Sequence, residues 1–194
     1  MRTAAVAEGR FAEALTSIRH AQVNQVVLEE IPAPSRAASF AVALEARVPG
    51  PDGDDAASGS IIVLHEPGGH VVWDGDFRIV TVAKALVEPE LGADPFLAQV
   101  AWCWLAESLD TAGLVAGHLA GTITRTLSET FGELKSRGDQ VGVEARASWT
   151  PSSPDVGPHL TAWLGFLLRL GGVEPLPTGV VSLASRRGKG PTAA

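Results

Sequence analysis

The chain has 194 residues, of which 45% are hydrophobic and 19% charged, a balance that suits one domain with one core and excludes wholesale disorder. Fifteen Lys plus Arg against 22 Asp plus Glu give a formal net charge of -7, so no long-range field draws the whole molecule to nucleic acid or an anionic membrane. The single cysteine, Cys103, excludes an internal disulfide and any multi-cysteine metal site, and a cytoplasmic location is the default expectation.

The apolar start at residues 4–7 is broken at once by Glu8 and Arg10, so no secretory signal is read there. Residues 10–22 place Phe11, Ala14, Leu15 and Ile18 on one face and predict a first amphipathic helix. A short β-branched run at 26–31, ended by Pro32 and Pro34, reads as an edge strand. Residues 39–48 alternate, with Phe40, Val42, Leu44, Ala46 and Val48 on one side, which predicts a half-buried strand. The stretch 49–59, rich in Pro, Gly, Asp and Ser, predicts a flexible turn. Residues 61–64 are apolar on both faces and predict a central strand, followed by a second turn at 66–69 and a third long strand at 77–87.

Asp94 and Pro95 supply an N-cap and a first-turn proline, and Gly113 a stop, so 95–112 is expected to be a helix. It carries Phe96, Leu97, Val100, Trp102, Cys103, Trp104, Leu105 and Leu109 nearly all round, so it is expected to be covered on more than one side, with Cys103 an inert core residue. The alternating stretches 119–128 and 140–149 predict an antiparallel pair, joined by a turn region with Gly132 and Gly138. Asp155 is placed to cap a last helix over 156–170, striped with Leu160, Trp163, Leu164 and Leu167. Its apolar run, interrupted by Gly165 and Arg169, is about half of the roughly 20 residues that a membrane span needs. The expected fold is α+β: a single antiparallel sheet of about five strands, a central helix and two terminal helices, in one domain over 1–176. Residues 177–194 are expected to form a largely disordered tail.

Chemistry is sparse. His65, Glu66 and His70 have a superficial likeness to a zinc-protease signature, but that motif needs two histidines four apart on a helix, and Pro67-Gly68-Gly69 forbids one. Convergence of His65 and His70 across a hairpin, with Glu66 or Asp76, remains the alternative reading: a metal-assisted or acid-base hydrolytic site. Hydrogen bonding at a turn or strand edge is the competing role. Of the five tryptophans, Trp102, Trp104 and Trp163 lie in predicted helices and belong with the core, while Trp73, in a polar Gly-rich segment, is a candidate contact residue. Arg125 shares strand parity with Leu119, Ile123 and Leu127, so it is expected to face an apolar side and to pair with Glu88, Glu90 or Asp76, an anion site being the sharper option. The Gly-rich pairs match no phosphate-binding pattern, and no cofactor or metal is expected. Arg186, Arg187 and Lys189 on an acidic chain read as a solubilising end, so nucleic acid is not an expected partner.

The strings LHEPGGHVVWDGDFRIVT (64–81), VEPELGADP (87–95), GTITRTLSETFGEL (121–134) and EARASWTP (144–151) resemble an actinobacterial family catalogued as domain of unknown function 3000, over roughly residues 10–187. That resemblance implies no catalytic residues. The element order is also similar to that of type III secretion chaperone-like domains, which implies dimers that bind segments of other proteins. The expectation is therefore a cytoplasmic protein that is not an enzyme and that acts through protein contacts. A homodimer paired through the helix at 95–112 or the adjoining sheet edge is expected, with no membrane partner. The expected contact surface combines His70 and Trp73 with Thr122, Thr124, Glu144 and Arg146. A monomer whose terminal helices bury the central one is the competitor.

Overall fold

Period-two alternation builds one antiparallel sheet of six strands, ordered β1-β2-β3-β4-β6-β5, in a computed structural model that describes residues 2–21, 24–51 and 53–174. The strands are β1 (Val27–Ile31), β2 (Phe40–Pro49), β3 (Asp55–His70), β4 (Gly75–Val87), β5 (Ala116–Ser128) and β6 (Gln140–Pro151). The helices are α1 (Arg2–His20), α2 (Pro89–Gly92), α3 (Leu97–Thr111) and α4 (Gly157–Leu170), with a 3-10 helix at Gly132–Arg137. One sheet face carries Leu44, Ile61, Ile79 and Trp149 against the helices. Register puts Ala43, Ile62, Val80 and Ser148 side by side on the opposite face. The expected tail at 177–194 lies outside the described residues.

Six strands replace the expected five or so, because the short edge run at 26–31 pairs fully with β2. The expected turn at 49–59 shrinks to a tight loop closed by the Gly50 N–H donating to the Asp54 carbonyl at 2.8 Å, and β3 starts at Asp55. Ala57 and Gly59 look loop-like in sequence, yet they pair with Val48 and Ala46. Gly59 has no room for a side chain: an added Cβ would collide with the Val82 carbonyl oxygen of the neighbouring β4 and stand 3.0 Å from Cζ2 of Trp163 on α4. The expected turn at 66–69 is also corrected. Gly68 and Gly69, at φ of 92° and 87°, form a bulge inside β3, so pairing jumps from His65 with Phe77 to His70 with Gly75, and the chain reverses at 71–74.

The helix expected at 95–112 begins at Leu97, after the short α2 that the sequence reading does not contain. Asp94 accepts from the Phe96 N–H at 2.8 Å, closing a local turn rather than capping α3. Only Leu97, Ala101, Leu105 and Leu109 of α3 are buried, a stripe at i, i+4 spacing, so α3 is covered on one side and does not hold the centre. Cys103 is exposed, not a core residue. The central position belongs to α4, which lies between α1 and α3 and against β2, β3 and β4, and is apolar nearly all round. Its cap is also not as expected. Ser17 of α1 accepts the Gly157 N–H at 2.6 Å and donates to the Asp155 carboxylate, so a residue 140 positions away caps α4.

Candidate functional site

The β3 bulge separates the two histidines that the sequence places together. His65 precedes it on the helix side and is 1% exposed, its ring stacked 4.3 Å from Phe77 and 5.8 Å from Phe40. Its Nδ1 donates to the Asp76 carbonyl at 3.0 Å, and its Nε2 is buried with no partner among the described residues. The Asp76 carboxylate lies 3.9 Å from the same Nδ1 and pairs with Arg10 of α1 at 3.1 Å, which ties the first helix to the hairpin. Glu66 turns away and accepts from the Ser39 N–H at 3.0 Å and the Ser39 hydroxyl at 2.8 Å, and those bonds hold its carboxyl below the usual carboxylate range. His70, beyond the bulge, is exposed and stacks on Trp73 at 4.5 Å. His65, Glu66 and His70 thus have three separate sets of neighbours. Among the described residues no group of three or more His, Cys, Asp or Glu side chains is placed to hold a metal ion.

The hairpin tip is held rigidly. Trp73 and Asp74 both donate their N–H groups to the His70 carbonyl, at 3.0 and 3.1 Å. The Thr150 hydroxyl donates to the Trp73 carbonyl at 2.6 Å and accepts from Arg78 at 3.0 Å. This frame presents Val71 and Val72, 99% and 78% exposed, a feature missed by the sequence reading because β-branched residues are poor turn formers.

The other expected contact residues meet on the open sheet face. Thr122 lies opposite Arg146 and Thr124 opposite Glu144 in the β5–β6 register. Glu144 accepts from Arg146 at 2.6 Å and pairs with Lys84 at 3.2 Å, and both cations lower its carboxyl. Arg125 points to the helix side, as its parity requires, but it is exposed and does not pair with Glu88, Glu90 or Asp76. It donates instead to the Asp94 carbonyl at 2.6 Å and the Gly92 carbonyl at 3.4 Å, at the end of α2. Backbone acceptors satisfy the guanidinium there, and they leave no signature in a sequence. This bond fixes the chain two residues before Phe96, beside Leu127 on the same face of β5. Phe96, Leu127 and Phe131 are 63%, 65% and 77% exposed.

A family model described as protein of unknown function (DUF3000) matches residues 7–181. The chain belongs to the DUF3000 family. No curated protein and no solved structure matches it. The DUF3000 match takes in all six strands and runs on through Val180 and Val181. No helix of this DUF3000 chain, among the described residues, is long and apolar enough to cross a membrane.

Proposed function

We propose that this DUF3000 protein is a cytosolic, non-enzymatic protein-binding module that works as a homodimer, two copies joining their sheets along the free edges of β5. The observation that carries the reading is β5 itself: a 13-residue edge strand that, among the described residues, pairs only with β6 and is exposed over most of its length. It contains no Pro and no Lys, and its one register irregularity, between Gly117 and Ala120, lies near its start, away from Thr124. Its sequence is self-complementary. Antiparallel pairing about a two-fold axis at Thr124 sets Thr124 against itself, Thr122 against Thr126, and Arg125 against Ile123, so no like charges oppose. The joined sheet keeps both copies of α3 on one side, where Phe96 and Val100 gain cover. The rigid tip of His70, Val71, Val72 and Trp73, together with the face of Glu144 and Arg146, then stays free for a partner protein.

Thr124→Lys tests this, because it sets two ammonium groups directly opposite each other at the axis. Sedimentation equilibrium is expected to show a dimer for the native chain at micromolar concentration and a monomer for Thr124→Lys. An equimolar mixture of Thr124→Lys with Thr124→Glu is expected to restore the dimer. A native chain that stays monomeric, or a Thr124→Lys chain that dimerises as well as the native one, overturns the pairing. A chaperone-like use is the second reading, supported by the same unpaired backbone groups of β5: the edge takes an extended segment of another protein as an added strand. That reading requires a monomer whose affinity for extended peptides is lost in Thr124→Pro or Thr122→Pro.

A further inference from the structure

On the open face, near the end of the sheet where α4 stops, a recess of about 290 Å³ is lined by Asp55, Ser58, Lys84, Leu86, Thr126 and Gly142. It exists because Gly142 has no side chain opposite Leu86, which is left 61% exposed, and because Ala56 and Ser58 are small. The chain beyond α4 starts next to it. Gly171 backs onto the same stretch of β3, where an added Cβ would stand 3.0 Å from the Ala57 Cβ and 3.3 Å from the Ala56 carbonyl. The Glu174 carbonyl then accepts from the Gln25 side chain at 3.4 Å. Five residues lie between Glu174 and Val180, so the chain reaches up to roughly 20 Å before the apolar run begins.

We propose that residues 180–189 of this chain occupy that recess as an internal ligand, Val180, Val181 and Leu183 covering Leu86 and the basic residues after them meeting Asp55. Charge favours this occupant. Residues 175–194 carry Arg186, Arg187 and Lys189 and no acidic residue, while Asp55 in the lining makes no ion pair among the described residues; Glu144, which also lines the recess, is already paired with Lys84 and Arg146. The family match also extends through Val181, seven residues past Glu174, so the family pattern includes the start of the apolar run. The proposal does not depend on β5 pairing, because joining sheets at the edge leaves the open face uncovered.

The test is disulfide trapping in the full-length chain with Cys103→Ser, comparing Leu86→Cys plus Ser182→Cys with Glu107→Cys plus Ser182→Cys, Glu107 lying on the exposed side of α3. Non-reducing gels and peptide mass spectrometry separate bonds within a chain from bonds between chains. The expected result is an intrachain bond that forms at least about tenfold faster at position 86 than at position 107, and Val180→Asp with Val181→Asp removing that advantage. Equal rates at the two positions overturn the proposal. Bonds formed chiefly between chains overturn it too, since they assign the recess to a second copy.

Discussion

The cap that α1 places on α4 makes Ser17 a sensitive point. Ser17→Ala removes a hydroxyl that accepts the Gly157 N–H at 2.6 Å and donates to the Asp155 carboxylate. Loss of an N-cap costs about 1 kcal/mol. Gly157 is buried, and an N–H left without a partner there adds a penalty of about 1 kcal/mol or more where water is shut out. A recess lined by Ser17, Asp155 and Gly157 lets water approach the site, so the second penalty is only partly felt. The sum is about 1–2 kcal/mol, a fall of roughly 3–6 °C in Tm for a chain of this size. Urea unfolding is the assay, with the midpoint falling at constant m-value. Thr16→Ala is the control, since its hydroxyl donates only to the Ala12 carbonyl one turn back, and it is expected to stay within about 0.5 kcal/mol. A Ser17→Ala chain as stable as the native one, or a Thr16→Ala chain equally weakened, would refute the claim that the hydroxyl of α1 organises the start of α4.

His159 gives a pH prediction. Burial pushes its imidazole down to about 4, and Trp149 donates to its Nδ1 at 3.1 Å, so the folded state holds the neutral ring. The unfolded chain binds the extra proton near pH 6.5, so this contribution is fully present above about pH 6.5 and is lost as pH falls towards 4, by on the order of 3 kcal/mol. His159→Phe lowers stability at neutral pH by removing the acceptor for Trp149, yet it is expected to flatten the decline in urea midpoint on acidification; an unchanged slope contradicts the assignment. Exposed Cys103 is expected to react fully with a maleimide in the folded protein, at the same rate with and without sub-denaturing urea, and modification that waits for unfolding would return Cys103 to the core.

Alternation made the sheet legible, since β2, β4 and β6 each bury every second residue over long runs. What misled was turn chemistry inside strands. Gly68 and Gly69 look like a reversal, but a bulge uses the same positive φ, and only the partner strand decides between the two. The exchange of roles between α3 and α4 was hidden for a related reason. Both are rich in apolar residues, and which one holds the centre depends on chain crossing: α4 arrives after β6 has been inserted between β4 and β5, and so lies across the middle strands. Thr122, Thr124, Glu144 and Arg146 share one strand face, which parity and register suffice to place. The acceptors of Arg125 and the cap of α4 are not legible in this way, because a carbonyl and a distant serine have no pattern along the chain.

The strand order also bears on how the chain is made. β1 to β4 form a run of adjacent antiparallel pairs that can close as soon as they leave the ribosome, yet the apolar side of this meander, with Val42, Leu44, Ile61, Phe77 and Ile79, gains α4 only after residue 157 has been added. Throughout synthesis of the intervening segment a nascent chain exposes half a core, with α1 alone to shield one flank. That interval is when the protein is most open to aggregation and to capture by general folding factors, and slower translation between β4 and α4 would lengthen it.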